Sequence, residues 1–372
     1  MASSVFTSFP GRHLYMLTSF TLTLIRLPFW LTYYIPASNR PSPKWTYKQA
    51  LRVRVLKSLM QIISTTRSAT KLTLLPGKEG SRFAILNPAP STHYQGITTS
   101  NPSITPSTIG GTWYPHPPPP NPSNEDIILH FHGGAFVIGD GRSHDTGFAA
   151  QTFLNNTTAT YIFTPQYRLS TTATTRFPAA LQDAITSLHY LTSTLQIPAK
   201  NIAVSGDSAG GNLVLALLRY IHDNPSSGLP HPSCAWLWSP WVNPGDALSP
   251  GAYAASPRAA TDFLTGDFGA WGAESLRPLE STGVSLQDAY ISFRGRAFPS
   301  ATPMFFSTGE CEVLFDDDVR AYEEFVAVGT TAELSVEEGA VHDIILVGDK
   351  MGFGREAEES VRRAGDFWGR NR

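Results

Sequence analysis

Cysteine is scarce in this sequence, with Cys234 and Cys311 far apart along the chain and each in an apolar run. Two cysteines cannot build the disulfide framework on which small secreted domains depend. The sequence also has no Cys-x-x-Cys pair and no Cys/His pattern with the spacing of zinc ligands, so we expect no metal site. We expect both thiols to be buried as small hydrophobic side chains.

Acidic residues are absent from the first 78 positions, which contain eleven Lys and Arg residues. The rest of the chain has 17 basic against 30 acidic residues, whereas the whole 372-residue protein has a net charge of −2. The overall balance excludes a nucleic-acid-binding protein as judged from net charge. With 41% hydrophobic and 16% charged residues, a large core can form and disorder throughout is excluded. We therefore predict a basic N-terminal segment, residues 1–78, joined to an acidic body.

The apolar stretch at residues 14–35 is long enough to cross the hydrocarbon core of a bilayer. Against a span, Arg26 near its centre costs about 2.5–3.5 kcal/mol on insertion scales, and Pro28 interrupts the helix. Residues 44–71 follow with the pattern of a basic amphipathic helix, which suits an anionic membrane surface.

Three arrangements of this N-terminal segment stay open: a membrane span, a helix pair on the membrane surface, or a helical cap that covers a site on the body. We expect residues 14–71 to contact a membrane surface. The expected location is intracellular and membrane-associated, on a cytoplasmic or endoplasmic reticulum face.

Residues 79–124 are predicted to connect the two parts. Within them, residues 86–124 are rich in Pro, Ser, Thr and Asn and end in a run of four prolines, Asn and a fifth proline. Proline cannot donate to a sheet or continue a helix, so this composition predicts a loop or a semi-rigid linker.

Strands and helices alternate in residues 125–372. Short apolar runs predict strands, and apolar residues at helical spacing predict helices. The predicted strands are residues 127–131, 161–163, 201–204, 234–238, 303–307 and 333–336, with helices from Pro178, over 212–221 and over 355–368. This alternation predicts an α/β fold with a mostly parallel central sheet and helices on both faces.

The motif Gly206-Asp207-Ser208-Ala209-Gly210 lies between a predicted strand and a predicted helix. That is the context of a nucleophile elbow, in which a strained turn lifts a serine hydroxyl clear of the sheet. Ser208 is the candidate nucleophile, and the amide of Ala209 is aimed toward a substrate oxygen.

A second motif, His132-Gly133-Gly134-Ala135-Phe136, directly follows the strand at residues 127–131. Consecutive glycines let backbone amides turn inward and stabilise an oxyanion, although a tight turn with positive φ would need the same residues. We predict an oxyanion hole that includes the amides of Gly133 and Gly134.

A serine nucleophile needs a histidine base and an orienting acid, which follow the serine in this type of fold. His342 is the histidine that lies in a suitable loop after Ser208. Glu312 is the preferred acid, with Glu310 and Asp316 as competitors. Asp316 opens a run of three aspartates that is typical of a helix start.

These motifs resemble those of the hormone-sensitive-lipase-like branch of the α/β-hydrolases over residues 125–370, and within it fungal esterases of the steryl-acetate-hydrolase and secondary-metabolite kinds. The resemblance implies an α/β-hydrolase fold with Ser208 as nucleophile, His342 as base and Glu312 as orienting acid. Two positions depart from the pattern: Ala135 replaces a frequent third glycine, and Glu312 stands where many members have Asp.

The predicted function is that of a serine esterase of the carboxylesterase or deacetylase type, which acts on a small hydrophobic ester without a cofactor. A place in fungal secondary metabolism is part of this prediction. The alternatives are amide cleavage, lactone opening or acyl transfer in a biosynthetic pathway, and a ligand-binding protein on the same fold. The retained His342 argues against the binding protein.

Overall fold

One mixed sheet organises the residues that the computed structural model describes, which are 5–120 and 122–372. Its strands are β1 Phe83–Leu86, β2 Ile109–Tyr114, β3 Ile127–Phe131, β4 Tyr161–Gln166, β5 Ile202–Asp207, β6 Cys234–Trp238, β7 Met304–Gly309 and β8 Ala332–Glu337. The helices are α1 Gly11–Tyr33, α2 Tyr47–Thr66, α3 Ser143–Asn156, α4 Ala179–His189, α5 Ala209–Asp223, α6 Gly266–Leu276, α7 Phe315–Ala327, α8 Ile344–Met351 and α9 Gly354–Arg370.

The strand order is β1-β2-β4-β3-β5-β6-β7-β8. Strands β1, β2 and β4 pair antiparallel, whereas every pairing from β4 through β3 to β8 is parallel. The predicted α/β fold with a mostly parallel sheet is therefore confirmed. Loops after the carboxyl ends of parallel strands meet at one edge of the sheet, where open α/β sheets place their sites.

The prediction of a strand-free linker over residues 86–124 is wrong, because β2 lies in the interior of the sheet between β1 and β4. All six of its residues are buried. Gly110 and Gly111 leave room for the rings of Phe83 and Phe163, which would lie 2.2 Å from an added Cβ. The proline-rich composition describes the stretches on either side of β2 and hides this short strand.

Helices cover both faces of the sheet and bury a hydrophobic cluster on each. On one face, α5 packs against the central strands β3, β5 and β6, α4 packs against α5, and both helices contribute to the larger cluster. On the other face, α3 and α9 enclose Trp236 and Trp238 of β6. Cys234 and Cys311 are buried free thiols.

The N-terminal helices lie against the body. Thr46 and Gln49 form a capping box that begins α2, and Trp45 Nε1 donates to the Gly339 carbonyl at 2.6 Å. Gln49 Nε2 donates to the Gly352 carbonyl at 2.9 Å, and α2 also packs against α6 and α8. By length and composition α1 could cross a membrane, and of its side chains only Trp30 is buried.

A methyl group added at Gly111 is expected to destabilise the protein, because the Phe163 ring that it would meet is itself fully buried. Overpacking of this kind costs about 1–3 kcal/mol. Gly354→Ala is the matched control, since nothing lies within 4 Å of the position that its Cβ would occupy. Thermal unfolding should show a lower midpoint for Gly111→Ala alone. Equal midpoints for both variants would contradict the close packing of β2.

Candidate active site

Ser208 stands on a strained turn between β5 and α5. Its backbone has φ 51° and ψ −113°, outside the regions that side chains favour. A Cβ at Gly206 would lie 2.2 Å from the Gly210 carbonyl oxygen, and one at Gly210 would lie 1.9 Å from the Phe131 carbonyl oxygen. Only glycine therefore fits on either side of the serine, and the turn has the geometry of a nucleophile elbow.

The structure brings Ser208, His342 and Glu312 together, although 134 residues separate the first two along the chain. Ser208 Oγ lies 3.0 Å from His342 Nε2, and His342 Nδ1 lies 2.5 Å from Glu312 Oε2. Because a carboxylate can only accept, Nδ1 carries the proton and Nε2 is left to accept one from the serine. All three side chains are buried.

The two competing acids lie elsewhere. Glu310 forms an ion pair with Lys44 at 2.8 Å and accepts from the Gly339 amide at 2.8 Å. Asp316 pairs with Arg258 at 3.0 Å, and its side chain is 70% exposed. Glu310 therefore ties the N-terminal segment to the loop before His342, and Glu312 is the acid of the constellation.

Glu312 makes His342 a stronger base. Burial by itself favours neutral imidazole, but the hydrogen bond and the charge of Glu312 outweigh it, so the pKa of His342 is raised above its ordinary value. The ring edge of Phe263 also packs against the imidazole, with ring centroids 5.9 Å apart. The site is thus built to stabilise a proton on this ring.

Glu312 is itself held by residues that the sequence analysis does not identify. Its Oε1 accepts from the Gly309 amide at 2.7 Å and from the Thr308 hydroxyl. The Thr308 hydroxyl also lies 2.8 Å from Asp318 Oδ2. Because its single proton goes to Glu312, the protonated carboxyl of Asp318 is the donor in this second contact. Burial and the neighbouring Glu312 charge raise the pKa of Asp318 well above its usual range. Asp318 is one of the three aspartates that begin α7, so the sequence pattern shows a helix start and conceals this contact.

The predicted oxyanion hole needs one correction. The Gly133 amide donates to Asp207 Oδ2 at 2.7 Å, so it is already engaged. The next two amides in the loop, of Gly134 and Ala135, have no acceptor among the residues that the structure describes. Ala209 is the first residue of α5, where the amide precedes the intrahelical hydrogen bonds. The available donors are therefore Gly134, Ala135 and Ala209.

Asp207 joins three loops of the site. Besides the Gly133 amide, it contacts His130 Nε2 at 3.1 Å and is hydrogen-bonded to Asp343. Burial and the charge of Asp207 raise the pKa of Asp343 well above its usual range, so Asp343 is neutral and donates to Asp207. In the sequence, Asp207 directly precedes Ser208 and Asp343 directly follows His342. That adjacency is the only signal the sequence offers for their role.

A cavity of about 240 Å³ adjoins the oxyanion loop. Gly133 and Gly134 form its floor, while Ile63, Ser68 and Thr70 bring the end of α2 and the residues after it to its wall. Ile138 and Leu346 add apolar surface. The end of helix α2 therefore lies beside the oxyanion loop.

No group of three or more His, Cys, Asp or Glu side chains within residues 5–120 and 122–372 is placed to hold a metal ion. The polar side chains around Ser208 are instead committed to one another, as the contacts of Asp207, Glu312 and His342 show. The arrangement can activate a serine hydroxyl and stabilise negative charge beside it.

Residues 128–346 match a protein family described by its α/β hydrolase fold. An acetyl-hydrolase from Streptomyces hygroscopicus is 28% identical over 206 residues, which are 55% of this chain and 63% of the relative. The match thus spans less than two thirds of that relative.

Solved structures of esterases are similar in fold. EstE5, soaked with p-nitrophenyl butyrate, has a TM-score of 0.59 at 20% identity and covers 94% of this chain and 98% of its own. An esterase from the bacterial hormone-sensitive lipase family has a TM-score of 0.58 at 19% identity, covering 100% and 99%.

Glu312→Gln is expected to lower the pKa of His342, because it removes the hydrogen bond and the charge that raise it. Titration of the His342 ring by NMR measures the change. Asp316→Asn is the matched control and should leave the His342 titration in place, since Asp316 is exposed and paired with Arg258. A His342 pKa that is unchanged in Glu312→Gln would show that Glu312 does not govern the imidazole.

Proposed function

Because the chain belongs to the α/β-hydrolase fold family, we propose that it is a serine hydrolase that cleaves carboxylic esters. The observation that carries this proposal is the continuous hydrogen-bonded chain from Ser208 through His342 to Glu312. A ligand-binding protein on the same fold would not need a base in contact with the serine.

The first half of the reaction acylates Ser208. Its Oγ attacks the ester carbonyl carbon while His342 Nε2 accepts the hydroxyl proton, and Glu312 stabilises the imidazolium that results. The carbonyl oxygen becomes an oxyanion, held by the amides of Gly134, Ala135 and Ala209. Removing one such donor typically costs about 10²–10³ in rate. The ester bond then breaks, and the leaving alcohol takes the proton from His342.

The second half of the reaction returns the enzyme to its starting state. A water molecule gives a proton to His342 as it attacks the acyl-enzyme carbonyl, and the same amides stabilise the second oxyanion. Ser208 leaves and recovers its proton from His342, and the carboxylic acid is released. The original serine proton leaves with the alcohol and is replaced by one from water, so the enzyme ends unchanged and this mechanism involves no cofactor.

The cavity beside the oxyanion loop supports a proposal for the substrate class. Ile63, Ile138 and Leu346 give it apolar walls, and a volume of about 240 Å³ suits a short acyl group or a small part of a larger ester. The acetyl-hydrolase among the relatives favours a short acyl group. We propose a hydrophobic small-molecule ester. The place in fungal secondary metabolism stays a prediction, which metabolite profiles of strains with intact enzyme and with Ser208→Ala would test.

Ser208→Ala should abolish hydrolysis of p-nitrophenyl acetate, because no other hydroxyl in the described residues contacts His342 Nε2. Labelling by a fluorophosphonate should be lost with it, since that reagent reports an activated serine. The control is Ser239→Ala, whose hydroxyl accepts from the Asp343 amide and not from His342. A Ser208→Ala protein with wild-type turnover would contradict the proposed mechanism.

Glu312→Gln should reduce kcat by up to about 10⁴-fold, the loss seen when the orienting acid of a catalytic triad becomes an amide. Asp316→Asn should retain kcat within about twofold, since removing an exposed ion pair costs little. For the wild type, kcat/KM should rise with pH through the raised pKa of His342, because only neutral imidazole accepts the serine proton. In Glu312→Gln this acidic limb should move to lower pH. An unshifted limb would assign it to another group.

A further inference from the structure

Helix α1 has the opposite polarity from a surface helix in water. Its polar positions Tyr15, Ser19, Thr23 and Arg26 recur at helical spacing and face α2. The far side of the helix carries apolar side chains that are 60–67% exposed: Leu14, Leu17, Leu24 and Ile25. A helix bathed in water buries its apolar stripe and exposes the polar one. The exposed face of α1 is therefore suited to an apolar medium.

Contacts with α2 run along the whole length of α1. At its first turn, Arg12 donates to Ser68 at 3.0 Å and Tyr15 donates to Thr65 at 3.3 Å. At its last turn, the Tyr47 hydroxyl donates to the Leu31 carbonyl at 2.9 Å. Because α2 is anchored on the body, α1 lies along the protein surface, and crossing a membrane would require all of these contacts to break.

A basic groove of about 410 Å³ runs between the two helices, defined by Arg26, Arg54 and Lys57. Arg54 stacks on the Trp30 ring at 4.8 Å, and neither arginine forms an ion pair within the part of the chain that the structure describes. Among the described residues, Lys57 Nζ donates to the backbone carbonyls of Ala259 and Asp262 and to no carboxylate. Hydroxyl groups complete the walls of the basic groove: those of Tyr15, Ser19, Thr23, Ser58 and Thr265.

Two carboxylates lie near the basic groove, and within the described residues neither forms an ion pair with its three cations. Asp262 is buried, and both of its carboxylate oxygens accept from backbone amides, those of Phe263, Leu264 and Val313. Asp267 accepts from Gln61 at 2.5 Å at the rim. Burial lowers the pKa of Lys57 against the attraction of Asp262, and the charge of Arg54 lowers it further. The groove thus concentrates positive charge beside hydroxyl donors, which is the chemistry that binds a phosphate.

We propose that α1 lies in the plane of a membrane surface, with its apolar face in the lipid and the phosphate of an anionic phospholipid in the basic groove. Phosphate oxygens would accept from the arginines and from the hydroxyl groups of Ser19 and Thr265, while the acyl chains contact the exposed face of α1. This inference specifies how the N-terminal segment meets a membrane and is independent of the ester-hydrolase proposal.

Charge selects a membrane over a second copy of the chain. A symmetric dimer through α1 would set the same basic segment against itself, because a two-fold interface pairs identical surfaces. Residues 1–78 contain eleven basic and no acidic residues, which complements an anionic lipid surface. An in-plane helix also keeps Arg26 beside water and phosphate and not in the hydrocarbon core, where it is costly.

Flotation of the full-length protein with vesicles tests the proposal. Wild type should bind vesicles of phosphatidylcholine with phosphatidylglycerol. The groove variant Arg26→Gln/Arg54→Gln should bind them less, by about fivefold for each charge removed. The matched control Lys48→Gln/Arg52→Gln removes the same charge from exposed positions of α2 outside the basic groove, and it should lose less. Equal losses in the two variants would overturn the groove as a site.

A second pair of variants tests the apolar face. Leu24→Asp/Ile25→Asp should abolish vesicle binding, whereas Val326→Asp/Val328→Asp, which alters exposed apolar residues at the end of α7, should not. Hydrolysis of p-nitrophenyl acetate in solution, or the unfolding midpoint should that activity be absent, shows that each variant is folded. Unchanged binding by Leu24→Asp/Ile25→Asp would overturn the in-plane arrangement.

Three other outcomes also contradict the proposal. Calorimetry with inorganic phosphate should show no binding at concentrations where vesicles bind, and tight binding would make the groove a site for a free anion. Light scattering without lipid should give a monomer, and a dimer lost in Leu24→Asp/Ile25→Asp would assign the apolar face to a second copy. Resistance of wild type and groove variant alike to a high-salt wash would indicate a span.

Discussion

The hydrogen bond between His342 Nδ1 and the buried carboxylate of Glu312 is the interaction on which the rest of the site depends. It fixes the imidazole tautomer, so that Nε2 faces Ser208 as an acceptor, and it stabilises the charged ring against the cost of burial. Glu312 can do this only while Thr308 and the Gly309 amide hold its other oxygen. Thr308 and Gly309 are the last two residues of β7, so the position of the proton on His342 depends on how this strand ends.

The remaining loops are joined to this centre through a second buried carboxylate. Asp207 accepts from the Gly133 amide and from neutral Asp343, which links the oxyanion loop, the elbow and the histidine loop. Because the Gly133 amide donates to Asp207, it is not available to an oxyanion. The amide of Ala135 is available instead. Helix α2 also contributes to the site, because its end forms a wall of the cavity. The same helix carries two cations of the basic groove, Arg54 and Lys57. The segment that borders this cavity is thus the one that faces the proposed membrane.

Local sequence patterns predict the structure correctly where the physical cause of an element is also local. Strands β3 and β6 were predicted with their observed bounds, because continuous apolar runs are required of strands buried on both faces. Helix α5 begins at Ala209, three residues before its predicted start, because Gly210 and Gly211 serve close packing there and do not break the helix. Strand β2 was missed, because its two glycines resemble a loop until the facing aromatic rings are known.

By itself the sequence determined the fold class, the strained serine turn, and the residues able to act as base and acid, because each depends on spacing along the chain and on side-chain chemistry. Only the tertiary structure decided which acid reaches His342, which amides stay available, and where α1 lies. The sequence offers three acidic residues close together, at positions 310, 312 and 316, and their side-chain chemistry does not distinguish them. They differ in the partner that folding places beside each one, which is Lys44, His342 or Arg258 respectively. Such contacts join residues far apart in sequence, and no local pattern encodes them.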